Sequence, residues 1–206
     1  VYRNFLMNKT PDLKIENQIL NDSIKLICGI DEVGRGALAG PVVAAAVILD
    51  FKNIPPNIND SKKLSQSSRQ TIQNEIFTSA ISVGIGSASS TEIDKVNILE
   101  ATLLSMKRAY QNLNIKPNLA LIDGNKAPLL DCEIKTVING DELSLSIAAA
   151  SIIAKVYRDK LMAKIDQKFP NYNFKNNVGY GTKEHYNAIK QNGTIIYHRK
   201  SFKLFH

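Results

Sequence analysis

Residues 24–50 read IKLICGIDEVGRGALAGPVVAAAVILD, and their hydrophobic pattern divides them into strand, loop and strand. Ile24, Leu26, Ile27 and Ile30 make residues 24–30 strand-like, while Gly34, Gly36, Gly40 and Pro41 punctuate the loop after them. Asp31 and Glu32 therefore fall at the carboxyl end of a buried strand. Ionised carboxylates side by side repel and are poorly solvated there, so a divalent metal, a shared proton or an arginine has to compensate them. Residues 34–39 also fit the dinucleotide fingerprint G-x-G-x-x-G/A, but that fingerprint must open a helix. Here Pro41 leads into Val42, Val43, Ala44, Ala45, Ala46, Val47, Ile48 and Leu49, which read as a second strand and exclude the cofactor site.

Outward from this stretch, a chain of 206 residues suits one well-cored domain. We expect a single domain over 1–206, with an N-terminal segment over 1–23 and a small helical region and tail from about residue 170. Lys and Arg total 26 against 19 Asp and Glu, a formal charge of +7 that favours a polyanionic partner. Cys28 and Cys132 have no metal-type spacing, so neither a disulfide framework nor a zinc site is indicated. The longest apolar run is too short to span a bilayer and no signal pattern opens the chain, so no membrane association and a cytoplasmic location are expected.

A short surface helix is expected within 13–20. Ser65 is placed to cap a helix reaching about residue 77, with Ile72 and Ile76 inward. Residues 81–87 alternate Ile81, Val83 and Ile85 with Ser82, Gly84 and Gly86, the period of a half-exposed strand closing a three-stranded meander. Val96, Leu99, Leu103, Met106, Tyr110 and Leu113 recur at helical steps, which makes Met106 and Tyr110 core residues. Residues 119–122 form a short strand ending in Asp123, and 134–138 a further strand before Gly140-Asp141. Beyond these come a long helix over about 146–168 and a last one capped by Thr182. The order indicates a mixed α/β sheet of five strands flanked by helices.

Asp31 and Asp123 each end a strand and precede a glycine turn, and Asp141 leaves the next strand at the equivalent height. In open α/β sheets ligands collect at the carboxyl ends of strands, where three strands here supply acids. Hard oxygen donors select Mg²⁺ or Mn²⁺, and two such ions about 4 Å apart suit phosphodiester hydrolysis without a nucleophilic side chain. Simpler uses exist for each residue. Asp141 can cap a helix, Asp123 can serve only a turn, and Asp159 can pair with Lys155 four residues before it. Lys62 can be a solvated loop lysine and Tyr180 a core tyrosine.

The segments GIDEVGRGALAGPVVAAAVIL, NDSKKLS, LIDGN, the Gly140-Asp141 pair ahead of SIAAASIIAKVYRD, GYGTKEH and HRKSF together resemble bacterial type 2 ribonuclease H, ribonuclease HII, across nearly the whole chain. The resemblance implies the ribonuclease H-like fold and endonucleolytic hydrolysis of RNA in RNA/DNA hybrids. It also implies cleavage on the 5′ side of ribonucleotides embedded in duplex DNA, leaving 3′-hydroxyl and 5′-phosphate ends.

On the family pattern Asp31, Glu32, Asp123 and Asp141 are the catalytic acids and hold Mg²⁺ or Mn²⁺, with Asp159 in a supporting role. Gly34, Arg35 and Gly36 match the reader of the 2′-hydroxyl, Tyr180 the residue packing on the next deoxyribose, and Lys62 a phosphate-binding lysine. Ala37 stands where many members have proline, Val33 where alanine is common, and Asn176-Asn177-Val178 where the approach to the tyrosine is usually more basic. No tail after HRKSF supports recruitment to a replication clamp, and a monomer is expected. The rival readings are a ribonuclease HIII or resolvase of the same fold, and a nucleic-acid-binding protein without activity.

Overall fold

The computed structural model describes residues 10–204. The first nine residues of the N-terminal segment and the last two of the tail lie outside them. Five strands form one mixed sheet: β1 (Ile27–Val33), β2 (Val42–Ile48), β3 (Ser82–Ala88), β4 (Leu119–Asp123) and β5 (Glu133–Val137), in the order β3-β2-β1-β4-β5. β1, β2 and β3 make the antiparallel meander, and β4 joins β1 and β5 in parallel. β1 lies three residues further along the chain than 24–30, because its pairing with β2 continues through both acids to Val33 opposite Val43.

The helices are α1 (Lys14–Ile19), α2 (Gln66–Ser79), α3 (Ser90–Gln111), α4 (Leu145–Lys168), α5 (Phe174–Asn177) and α6 (Lys183–Asn192). Ser65 and Thr182 cap α2 and α6 as their positions suggested, accepting from Ser68 N–H and His185 N–H. β2 is buried on both faces: Val43, Ala45 and Val47 pack with α2 and α4, while Ala44, Ala46 and Ile48 pack with α3. Alanines 148, 149, 150 and 154 let α4 lie close on the sheet. At Gly29 the approach is so tight that an added Cβ would fall 2.0 Å from the Ser146 carbonyl carbon.

β3 is not half-exposed. A Cβ at Gly84 would stand 2.1 Å from the Ala109 carbonyl oxygen and one at Gly86 2.2 Å from that of Ser105, so its glycine face lies directly against α3. Asn97, with φ 70°, breaks the first turns of α3 from the rest. The apolar phase restarts there, which leaves Val96 exposed while Met106, Tyr110 and Leu113 are buried.

α1 is more than a surface helix. Glu16 is fully buried, and its Oε1 accepts from the Ser144 hydroxyl at 2.6 Å and from Ser146 N–H at 3.0 Å, at the start of α4. A carboxylate at a helix N-terminus satisfies orphan donors and opposes the helix dipole. Glu16→Ala strands both donors in the interior, so chemical denaturation should show a loss of about 2 kcal/mol, with Glu16→Gln costing less. Equal stability of all three proteins would refute that role.

At the C-terminal end of α4 a smaller core gathers Met162, Ile165, Tyr172, Phe174 and Ile189 under Leu38 and Ala39. The C-terminal helices thus pack on the loop between β1 and β2.

Candidate active site

Parallel pairing of Ile30 with Ile122 brings the next residue of each strand, Asp31 and Asp123, out of the sheet at one level. Side chains alternate along a strand, so Asp31 and Glu32 leave opposite faces of β1 and do not lie side by side. Asp31 takes the α4 face, where it accepts hydrogen bonds from the Ser151 hydroxyl and, at 2.7 Å, from Glu32 N–H. Glu32 turns to Arg35, with Oε1 3.3 Å from Nη1. Asp123 Oδ1 accepts from Gly140 N–H at 2.6 Å, which ties β4 to the 3₁₀ turn Gly140–Glu142 that carries Asp141. Asp141 Oδ2 lies 2.8 Å from Lys62 Nζ.

Burial raises three of the acids, and neighbouring carboxylates add to it. Burial pushes the Asp31 carboxyl well above its ordinary range, and the charges of Glu32 and Asp123 push the same way. Burial also raises Glu32, opposed by Arg35 and assisted by Asp123. In Asp123 burial is again the first cause, partly offset by the Gly140 hydrogen bond and reinforced by Asp141. Lys62 is held above its ordinary value by its hydrogen bond to Asp141.

An excess of negative charge in a largely buried cluster, supplied entirely by carboxylate oxygens, fits a hard divalent cation. Among the described residues no three of these acids already close into a cage for an ion. Instead two side-chain cations, Arg35 and Lys62, neutralise Glu32 and Asp141.

Beside the acids the loop after β1 turns at Gly34, where φ is +94° and a Cβ would stand 2.2 Å from Arg158 Nε. Arg35 and Gly36 are exposed, and the Tyr180 ring lies 4.0 Å from the Cβ position of Gly36. The structure thus brings together Gly34, Arg35, Gly36 and Tyr180, and sets Lys62 on Asp141. Asp159 is elsewhere: it pairs with Lys155 at 2.9 Å on the wall of a cavity of about 300 Å³ that also takes in Arg69, Lys160 and Lys175. It makes no hydrogen bond or ion pair with the four acids.

Three residues at the site are not apparent from the sequence. Ser151 bonds Asp31 and also meets the Ser61 hydroxyl at 2.9 Å. Arg158 and Arg199 are fully buried beneath the glycine loop. A signal for Arg158 is present: it stands with Ala154, Met162 and Ile165 on the apolar stripe of α4, where a charge is out of place.

A family model described as Ribonuclease HII matches residues 28–205. A ribonuclease HII of Wolbachia pipientis subsp. Culex pipiens (strain wPip) is 51% identical over 195 residues, covering 94% of this chain and 96% of the relative. Among solved structures, the ribonuclease HII of Archaeoglobus fulgidus in its complex with PCNA is similar, with a TM-score of 0.73 and 25% identity over 88% of this chain and 97% of that one. Bst ribonuclease HIII in complex with Mn²⁺ shares the fold, with a TM-score of 0.69 and 18% identity over 88% of this chain and 68% of that one.

Proposed function

This chain belongs to the ribonuclease HII family, and on that premise we propose how its acids and its glycine loop divide the work of cutting RNA joined to DNA. The protein is a metal-dependent endoribonuclease that acts on RNA/DNA hybrids. In the proposed mechanism Asp31, Glu32, Asp123 and Asp141 would hold Mg²⁺ or Mn²⁺, and the bound ion would supply Lewis acidity for activating water and stabilising the leaving oxygen. The observation that carries this assignment is the exit of Asp31 and Asp123 from paired strands at one level, with Asp141 tied to Asp123 through Gly140 N–H.

The chain's own residues do the rest. Arg35 and Lys62 are exposed cations already beside the acids, where each can turn from its carboxylate to a substrate phosphate. Among the described residues Arg35 N–H and Gly36 N–H have no backbone acceptor, and they sit on the exposed part of the loop, available to a 2′-hydroxyl, the group that tells RNA from DNA. Tyr180 closes the site beside Gly36 and packs on the neighbouring sugar. Cleavage then falls on the 5′ side of the ribonucleotide, leaving a 3′-hydroxyl and a 5′-phosphate. We place this action in the cytoplasm, by a monomer.

The test is cleavage of a labelled DNA duplex bearing one ribonucleotide, with Mg²⁺, Mn²⁺ or a chelator, beside an all-DNA duplex. A metal-dependent cut 5′ to the ribonucleotide, absent from the all-DNA control, is expected. Cleavage confined to long RNA/DNA hybrids would instead indicate ribonuclease HIII-type specificity, and failure on both substrates would overturn the assignment of the acids.

A further inference from the structure

Residues 197–199 run as a strap behind the glycine loop. The strap is pinned to the loop by backbone bonds from Gly40 N–H to the Tyr197 carbonyl at 2.8 Å and from Arg199 N–H to the Leu38 carbonyl at 2.9 Å, and by a bridge between Ala39 and His198. Its far end is fixed to α3, where Asp94 accepts from Lys200 N–H at 3.0 Å and Ser201 N–H at 2.9 Å. Two adjacent side chains of this strap reach the two halves of the sugar-contacting surface.

Arg199 reaches the loop. Its Nη2 donates to the Gly34 carbonyl at 2.6 Å, its Nη1 to the Arg35 carbonyl at 2.7 Å and its Nε to the Gly40 carbonyl at 3.0 Å. A trans peptide is planar, so a carbonyl drawn inward turns the N–H of the following residue outward. Holding the Gly34 and Arg35 carbonyls therefore aims Arg35 N–H and Gly36 N–H away from the interior. Arg158 secures the rest of the loop, donating to the Pro41 carbonyl at 2.9 Å and the Ala39 carbonyl at 3.2 Å.

Neither guanidinium has a carboxylate within ion-pair distance among the described residues. A buried charge without a counter-ion is costly, and a merely structural tail would be more stable with apolar packing there. These charges instead satisfy loop carbonyls, and they do so in a fixed fork.

His198 reaches Tyr180 through a defined relay. Its Nδ1 accepts from Ile195 N–H at 2.9 Å, which leaves its proton on Nε2. That proton is donated to His185 Nε2 at 3.1 Å, so His185 carries its own proton on Nδ1 and donates it to the Tyr180 carbonyl at 2.9 Å. Every donor and acceptor in the relay is used with both rings neutral. Burial pulls both imidazoles below their ordinary value, His198 to about 4, which keeps them neutral.

We propose that Arg199 and His198 are positioning residues for ribonucleotide recognition, one strap holding the Gly34–Gly36 amides and Tyr180 in a single geometry. The proposal rests on the reading of that loop and Tyr180 as the sugar-contacting surface. A duplex with one ribonucleotide offers one productive register, whereas a continuous hybrid offers a ribose at every step. Loosening the strap should therefore penalise the first substrate more than the second.

The experiment compares kcat/KM on a single-ribonucleotide duplex with kcat/KM on an RNA/DNA hybrid of the same sequence, for Arg199→Lys, His198→Asn and Tyr180→Ala. Lysine keeps the charge of Arg199 but not its fork, and asparagine keeps the bond to Ile195 N–H while cutting the link to His185. Each strap variant is expected to lose about ten- to a hundredfold on the single ribonucleotide, the scale of a misplaced binding group, and at least fivefold less on the hybrid. Combined with Tyr180→Ala, His198→Asn should add little, because both act through one contact.

Equal losses on the two substrates, or no loss, would overturn the proposal. If Tyr180→Ala shifts the ratio and the strap variants do not, only the strap falls; if Tyr180→Ala leaves the ratio unmoved, the sugar-contact reading falls with it. Where Arg199→Lys yields too little folded protein, His198→Asn alone decides.

Discussion

Asp31→Asn is expected to lose hydrolysis by on the order of 10³-fold or more while melting at a higher temperature than the native protein in chelator. The loss comes from removing an acid at the centre of the cluster. The gain comes from the burial of the same acid. Desolvation, together with Glu32 and Asp123, raises the Asp31 pKa in the folded state, so the ionised form is favoured in the unfolded chain. A carboxyl shifted this way contributes stability that is complete below its unfolded value, about 3.9, and is lost as pH rises through the raised folded value. At neutral pH the native protein carries that penalty and the amide does not.

The difference in melting temperature should thus be largest near pH 8 and close as pH falls toward 4, at about 2–4 °C per kcal/mol for a chain of this size. Thermal denaturation of both proteins across that range decides it. An asparagine variant that is less stable at neutral pH would mean that the hydrogen bonds to Asp31 outweigh its burial. Stability given up at an active site for the sake of charge is a recurrent trade.

The largest effect on folding is expected from a single methyl group at Gly29. An added Cβ would lie 2.0 Å from the Ser146 carbonyl carbon, 2.1 Å from its oxygen and 2.4 Å from Ile147 N, all backbone atoms of the first turn of α4. Such atoms cannot swing aside, so the helix must lift from the sheet and open the core on both sides of the contact. Gly29→Ala should cost roughly 3–5 kcal/mol, at the upper end for a point substitution. Activity should fall with it, since Ser151 on that helix bonds Asp31. Gly124→Ala is the contrast: nothing lies within 4 Å of its Cβ position, and only its φ of +91° resists, at about 1–2 kcal/mol. Denaturant midpoints for the two variants measure the difference, and similar midpoints would show that α4 is free to move.

Much of this arrangement is legible in the chain. The small and β-branched run at Val42–Ile48 and the apolar ends before Asp31 and Asp123 locate the sheet, and glycine turns follow each of those two acids. Where the pattern misleads, it does so for physical reasons. Alternation at β3 suggests one buried and one exposed face, but glycine there marks the close approach of α3. The helical phase of α3 does not carry across Asn97, where the helix breaks. The burial of Glu16 and Arg199 rests on partners more than a hundred residues away that no local pattern displays, whereas Arg158 is marked only by its place on the apolar stripe of α4. The grouping of Gly34, Arg35, Gly36 and Tyr180 comes from resemblance to a family rather than from periodicity.

The bonds from Arg199 to Gly40, Arg35 and Gly34 join residues 159, 164 and 165 apart in sequence. A ribosome adds about 5–20 residues per second, so on the order of ten to thirty seconds separate the synthesis of the loop from that of the residue that holds it. During that interval the meander and β4 can pair and the acids can assemble, but the loop carbonyls have no fork to bind. Contacts of such long range close late and slowly. On the proposed roles, a nascent chain would therefore acquire its acid cluster before the arginine that fixes its sugar-contacting loop, so cutting would precede selectivity as the chain is made.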